Sequence, residues 1–236
     1  MDSTHPLKEV LARYNHTGPR VVARFSELQN LNIDKDFIFT LLKMFEEDGC
    51  FPEKELNEHA LELIVDYIER THQYYLEKKL PEIEQSIELL LRDYANKHPL
   101  LTVLRHFYKH YRIHLTKHIQ AEEKYILPHV RTLIKAVNHN CNPAFLILEG
   151  GNYSLAGFIE AHTDTEEDLR DVYNVINQYN PPATNKTPYR VLLTQLQLLE
   201  KDLSVHAIIE DRVLIPRALK VERILLEKAT VLGALN

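Results

Sequence analysis

The chain has 236 residues, 44% of them hydrophobic, a share that is ordinary for a globular protein. Its net charge of −6 at neutral pH gives no general reason to expect a nucleic-acid partner. The two cysteines, Cys50 and Cys141, lie far apart, which argues against a disulfide framework or a thiolate zinc site. The chain begins without an apolar signal core and has no apolar run of bilayer-spanning length, so we expect a cytoplasmic protein without a membrane span.

Residues 1–52 are predicted to form an N-terminal helical segment. Its first helix begins near Pro6, after Ser3-Thr4, and ends at Gly18-Pro19. Two more short helices are expected over the stretches VVARFSELQ and DKDFIFTLLKMFEE, and Asp48-Gly49 ends the second. The segment is either a separate small module or a cap on the remainder, and its sequence suggests no chemistry.

Residues 53–236 are predicted to form four long helices. In chain order they are helix A, about residues 53 to 95, helix B, about 99 to 137, helix C, about 144 to 178, and helix D, about 188 to 230. Pro81 is expected to kink helix A. Because the connecting loops are mostly short, the pattern predicts an all-α protein: an up-down-up-down four-helix bundle with an N-terminal helical extension.

Four histidines stand at helical spacing in helix B, in the stretch HFYKHYRIHLTKH. A helix turns about 100° per residue, so positions four apart drift by about 40° and the four imidazoles do not share one face. We expect His118 on the apolar stripe, His114 at its edge as a support for a ligand, and His106 and His110 in solvent. The predicted stripe consists of Leu101, Leu104, Phe107, Tyr111, Leu115, Glu122 and Tyr125.

The pattern His-x3-Glu occurs three times, once each in helices B, C and D. In helix D it interrupts an apolar seam that runs from Leu192 to Val213. The copies in helices B and D extend to H-x3-E-[ED]-x4-P, which places Pro128 and Pro216 equivalently and indicates a pseudo-repeat. Glu166 is either a ligand or an exposed helix residue. The three pairs are His118 with Glu122, His162 with Glu166, and His206 with Glu210.

Helix A carries an inward histidine of its own. Its predicted stripe consists of Leu61, Val65, Ile68, His72, Leu76, Ile83, Ile87 and Tyr94. His72 is therefore the candidate ligand from this helix. Tyr94 is a phenolate ligand, a hydrogen-bond donor to a ligand, or an aromatic residue of the core.

Imidazoles and carboxylates placed among leucines are costly to bury unless a cation compensates their charge. Helix bundles build dinuclear metal sites from such inward side chains, and a set without thiolate suits iron, manganese or zinc. Glu122 and Glu210 are the expected bridges. Because imidazole must be neutral to bind a metal, binding is expected to weaken as the pH falls. The predicted ligands are His72, His118, Glu122, His162, His206 and Glu210, with Glu166 and Tyr94 as further candidates.

The stretches THQYYLEKKLPEIEQ, HIQAEEKYILP, FIEAHTDTEEDL and HAIIEDRVLIPRAL resemble the hemerythrin-like, HHE cation-binding fold, and within it the di-iron iron–sulfur cluster repair family. The resemblance implies a non-haem centre of two oxo- or hydroxo-bridged iron ions with bridging glutamates. It carries over His118, Glu122, His162, His206 and Glu210. The chain has Gln73 and Tyr94 where the family often has histidines, and Glu166 where it tends to have a small residue, so the resemblance predicts altered ligation.

The resemblance implies a role in handling or sensing O2, NO or peroxide, or in supplying iron during stress repair. An enzyme of this kind would be a di-iron oxidase or an NO or peroxide reductase. A sensor would bind its ligand without turnover and use residues 1–50 as an output surface for a protein partner or a second copy of the chain. A bundle that has lost its metal would serve interaction alone.

Overall fold

The computed structural model describes residues 5–14, 34–45, 51–94, 100–139, 155 and 187–234, and all secondary structure in these ranges is helical. The predicted all-α class is confirmed for this part of the chain. No helix within it is both long enough and apolar enough to span a bilayer. The elements are α1 (His5–Ala12), α2 (Lys35–Lys43), α3 (Glu53–Glu58), α4 (Leu61–Tyr74), π1 (Tyr75–Lys79), α5 (Leu80–Tyr94), α6 (Leu100–Ala121), π2 (Glu122–Ile126), α7 (Leu127–Asn138), α8 (Thr187–Ile209), π3 (Glu210–Leu214) and α9 (Ile215–Ala234).

The predicted helix A is interrupted near its start. The α3 helix ends at Glu58, and His59 is extended with φ −72° and ψ 152° before α4 begins. This break lets the His59 ring pack edge-to-face on Phe37, with centroids 5.2 Å apart, and brings its Nε2 within 3.0 Å of Thr40 Oγ1. Helices B and D correspond to α6–π2–α7 and α8–π3–α9. The helix predicted over VVARFSELQ and nearly all of helix C lie outside the described residues.

The chain divides into two compact units, each assembled from separate stretches of sequence. The first comprises Met1–Thr71, Ala121–His162 and Val205–Asn236, and its core includes fully buried residues of α1 and α2 together with residues of α4, α7 and α9. Within it, Arg131 binds Glu69 in a two-point ion pair and Asn138 donates to Glu62 over 2.7 Å, so α4 and α7 run antiparallel. The predicted domain boundary at residue 52 stays a prediction.

The second unit comprises His72–Gln120 and Thr163–Ser204. Its α5 and α6 helices are joined by ion pairs from Glu84 to Arg112 and from Glu88 to Arg105, an order that makes them antiparallel. The buried Tyr108 hydroxyl donates to the carbonyl oxygen of Leu80 over 2.7 Å. Burial raises the pKa of this phenol well above its ordinary value.

Each of the three π turns leads directly into a proline. The residue before the proline donates its N–H to the carbonyl five positions back, instead of four as in an α-helix. The bonds join Leu80 to Tyr75, Leu127 to Glu122 and Ile215 to Glu210, and the prolines are Pro81, Pro128 and Pro216. A proline inside a helix has no N–H and its ring clashes with the carbonyl four residues earlier, so the wider turn accommodates it.

Candidate metal centre

Four buried side chains from three long helical segments form one group of metal-binding type. One donor atom from each of His72, Glu122, His206 and Glu210 lies within 4.8 Å of the donor atoms of the other three. The side chains are almost completely shielded, since the four residues are 1% to 6% exposed. His72 comes from α4 and His206 from α8, whereas Glu122 and Glu210 are the first residues of π2 and π3.

The helix D sequence places two of these residues side by side. His206 and Glu210 are four residues apart and therefore lie on one helix face, with His206 Nε2 3.3 Å from Glu210 Oε1. They continue the buried seam formed by Leu192, Leu196, Leu199 and Leu203, as the sequence predicts. Asp202, one turn before His206, is also buried, and sequence reasoning missed it although its four-residue spacing from His206 was readable.

The donor set fits a divalent or trivalent transition metal. Two carboxylates without compensation would be costly in a buried position, and the Oε2 atom of Glu122 and the Nδ1 atom of His206 are fully shielded from solvent. Imidazole and carboxylate ligands suit iron, manganese or zinc, at about 2.0–2.2 Å from the ion. Donor atoms around one such ion are therefore up to about 4.4 Å apart, close to the spread observed here.

The four residues suffice for one ion, whereas dinuclear sites in helix bundles use about six protein ligands. Of the other predicted ligands, His118 is half-buried on α6 and is not part of this group. His162 and Glu166 lie outside the described residues, and so does the side chain of Tyr94 at the end of α5. Their assignment as ligands stays a prediction.

The histidine ladder of α6 lies mostly on the surface. His106, His110 and His114 are exposed, and the rings of His110 and His114 lie against each other with centroids 3.9 Å apart. This agrees with the solvent positions predicted for His106 and His110. His114, expected at the edge of the buried stripe, is exposed as well.

The predicted stripe of α6 is wrong at Phe107. That residue is 40% exposed, and Tyr108 is buried in its place, as is Ile119. The buried face is therefore centred about 60° away from the direction of His118, and Tyr108 on this face bonds the Leu80 carbonyl. The same rotation explains why His118 is only half-buried.

The helix A donor is His72 and not its neighbour. Gln73 is exposed and donates its amide to Glu77 over 3.1 Å, so it points away from the buried group. The rotation of about 100° between these adjacent residues thus places His72, and not Gln73, on the buried face.

A buried arginine that directly follows α1 contacts the residue before His72. Arg13, 1% exposed, donates its Nε to Thr71 Oγ1 over 2.9 Å and its Nη1 to the Glu9 carbonyl over 2.6 Å. Its guanidinium carbon lies 5.5 Å from the centre of the Tyr67 ring. Sequence reasoning missed this residue, because a single arginine in a short helix carries no signal of burial.

Comparison with known proteins gives one distant similarity. No family model matches the chain. Over 153 residues the chain is 21% identical to the iron-sulfur cluster repair protein ScdA of Staphylococcus haemolyticus (strain JCSC1435). The match covers 64% of this chain and 64% of that protein, so the chain spans less than two thirds of the relative's length. Together with the all-helical fold, this similarity supports a distant relationship.

Proposed function

We propose that the protein binds a non-haem di-iron centre inside a hemerythrin-like four-helix bundle and acts in the response to O2, NO or peroxide, or in iron–sulfur cluster repair. The observation that carries the proposal is the buried group of two imidazoles and two carboxylates. The distant similarity to an iron-sulfur cluster repair protein supports iron over manganese or zinc.

The proposed four-helix bundle goes beyond the described helices, but it agrees with the directions in which they run. The antiparallel pairs α4 with α7 and α5 with α6 have the up-down order that helices A and B require. The long α8–π3–α9 segment supplies helix D. Helix C, over about residues 144 to 178, stays a prediction from the sequence. In this arrangement His118 and His162 complete the ligand set for a second ion, with Glu166 and Tyr94 as further ligands.

An iron pair with one open coordination position would supply the chemistry of binding a diatomic gas or a small oxidant. The four side chains would hold metal, and the surrounding leucines would exclude bulk water from it. We place the protein in the cytoplasm, with a gas or small oxidant as its ligand and a protein or a second copy of the chain as its macromolecular partner.

Metal analysis of protein purified without chelator from iron-replete cells tests the proposal. We expect about two iron ions per chain, ultraviolet–visible absorption from the bound iron, and a lower unfolding temperature after chelation, because an ion that binds only the folded state stabilises it. His206→Ala is expected to lose most of the metal, whereas His110→Ala, at an exposed histidine, retains it. Less than about one metal per chain, with unchanged stability in chelator, contradicts the proposal.

A sensor without catalytic turnover is the second candidate, and the contact of Arg13 favours it. Through Arg13 and Thr71, the α1 helix is bonded to the residue next to a proposed ligand. A shift of α4 on metal or gas binding would therefore reach the N-terminal segment directly. Reversible gas binding without consumption of a reductant supports the sensor, whereas sustained turnover with a reductant supports the enzyme.

A further inference from the structure

Each of the three long helical segments that carry the metal-binding group contains one π turn. Two of these turns begin at a glutamate of the group, Glu122 and Glu210, and the third begins three residues after His72. The backbone carbonyls of these same two glutamates accept the five-residue hydrogen bonds. A π turn contains one residue more than the α-helical turn it replaces, so each segment carries one additional residue beside a proposed ligand.

The additional residue of π3 shows in which residues are buried along α8 and along α9. Eighteen residues make five turns of an α-helix, so a straight helix would place Ile224 directly in line with the buried His206. Instead Ile224 is 41% exposed and Leu225 is 3% exposed. Likewise the buried residue near the start of α9 is Ala218 and not Arg217. The inward face has therefore moved by one residue across π3.

The same displacement occurs across π1. Ile64 and Thr71 are fully buried, and their counterparts five turns later are Glu82, which is half-buried, and Leu89, which is 46% exposed. The residues that follow these two, Ile83 and Leu90, are buried instead. Across π2 the displacement is incomplete, since Leu115 and Leu133, five turns apart, are both buried.

Apolar packing alone does not require the additional residues. If one exposed residue of π3 such as Asp211 were absent, the residues Ala218, Leu225 and Ala229 would continue the seam of His206 along a straight helix. That shorter helix would bury the same apolar side chains. It would, however, be shorter by about 1.5 Å. With the packing of α9 retained, His206 and Glu210, which both precede Asp211, would shift together along the helix axis relative to His72 and Glu122. Metal ligands tolerate distance errors of only about 0.2 Å.

We propose that the π turns set the positions of the metal ligands along their helices, and that Pro81, Pro128 and Pro216 are positioning residues that hold each additional residue in place. The proposal rests on the proposed metal-binding function. Proline acts here because it cannot make the α-helical hydrogen bond that would let the additional residue move to another turn. The prolines touch no metal; they determine where the wide turn occurs and hence where the glutamate is presented.

Titration of the full-length chelated protein with Co²⁺ tests the proposal, because the visible spectrum of Co²⁺ reports the number and geometry of its ligands. The decisive variant combines deletion of Asp211 with Pro216→Ala, which removes the π turn and keeps the seam. A second variant, Pro216→Ala alone, retains the additional residue without its anchor. The control is Pro188→Ala, in the first turn of α8 and 22 residues before π3 begins at Glu210.

We expect the deletion variant to unfold near the temperature of the chelated wild type, to bind Co²⁺ at least about tenfold more weakly and to give a changed spectrum. Pro216→Ala is expected to lose affinity by a smaller factor, and Pro188→Ala to match the wild type. A folded deletion variant with wild-type affinity and spectrum overturns the proposal and leaves the metal-binding function intact. If the deletion variant does not fold, wild-type affinity and spectrum in Pro216→Ala overturn it. A wild type that binds neither Co²⁺ nor iron overturns the metal-binding function as well.

Discussion

The carboxyl groups of Glu122 and Glu210 each place an oxygen in a group whose donor atoms lie within 4.8 Å of one another. Two ionised carboxylates at this spacing repel each other in a buried environment, and the repulsion disappears when a cation lies between them. These residues were predictable from the sequence because a glutamate on a leucine seam is unusual by itself. His118 is half-buried rather than fully buried, since the buried face of α6 is rotated away from the direction that an ideal stripe predicts, and its assignment as a ligand stays a prediction.

Substitution of one carboxylate is expected to separate two effects: the repulsion between the buried carboxylates and the binding of metal. Glu122→Gln keeps the shape and removes the charge, so the chelated variant should unfold at or above the temperature of the chelated wild type. The stabilisation by metal, about 2.7 kcal/mol at a hundredfold excess of free metal over Kd, should be lost. Calorimetry with and without metal measures both effects. Glu123→Gln, at the exposed neighbouring position, is the matched control, and an equal metal response in the two variants contradicts the prediction.

A buried phenol gives a second prediction at the scale of single residues. Burial raises the pKa of Tyr108 in the folded protein, whereas in the unfolded chain it titrates near its ordinary value of about 10. The stability contributed by the neutral phenol is therefore present below about pH 10 and is lost as the pH rises above it. Tyr108→Phe should cost about 1 kcal/mol at pH 7, because the hydrogen bond to Leu80 is removed.

Above pH 10 the same variant is expected to lose stability less steeply than the wild type, since phenylalanine does not ionise in the unfolded chain. Urea unfolding at pH 7 and at several pH values between 10 and 11.5 measures the difference. Equal slopes of stability against pH in both proteins would show that Tyr108 ionises in the folded state as readily as in the unfolded chain.

At the scale of helices, hydrophobic spacing predicted where the long segments run but not where their inward faces turn. The seam from Leu192 to His206 is buried as predicted, because it lies within one uninterrupted α-helix, α8. Beyond π3 a periodicity of 3.6 residues no longer identifies the buried face, since Leu225 is buried in place of Ile224, whereas Ile83 and Ile87 beyond π1 are buried as predicted. The break at His59 was missed for a related reason: it depends on a contact with Thr40, nineteen positions earlier in the chain, that no local pattern contains.

Substitutions of two neighbouring leucines of α5 test whether the buried face shifts by one residue across π1. Leu90→Ala should destabilise the protein by about 2–5 kcal/mol, as expected for a buried leucine, whereas Leu89→Ala should cost less than about 1 kcal/mol. A straight helix would place Leu89 in line with the buried Thr71, as it places Leu90 in line with the buried His72, and would predict losses of similar size at both positions. Chemical denaturation of the two chelated variants decides between these outcomes, since the substitutions are chemically identical.

At the scale of the whole molecule, the N-terminal helices share a core with the segments that follow. Val10 and Leu11 of α1 and Phe37, Ile38 and Leu41 of α2 are at most 1% exposed, in the same cluster as residues of α4, α7 and α9. Composition and hydrophobic spacing predicted helices here but could not tell a separate module from a cap. The buried contacts favour the cap, because the apolar faces of α1 and α2 are covered by the rest of the first unit.

A chain that begins at residue 51 is therefore expected to be severely destabilised. Each fully buried leucine, isoleucine or phenylalanine contributes about 1.5–3 kcal/mol, so loss of five such apolar residues removes a large part of a typical stability of about 5–15 kcal/mol. Thermal unfolding of the full and shortened chains measures the change. An unchanged midpoint would identify residues 1–52 as an independent module.

The exposed pair His110 and His114 has a practical consequence for biochemistry on this protein. Two imidazoles one helical turn apart form a bidentate chelator for Ni²⁺ or Cu²⁺, so the untagged chain should be retained on an immobilised-nickel column. A metal analysis would count ions bound by this surface pair together with ions bound by the buried group. Stoichiometry is therefore best taken from a His110→Ala, His114→Ala background, in which the surface no longer scavenges metal from resins and buffers.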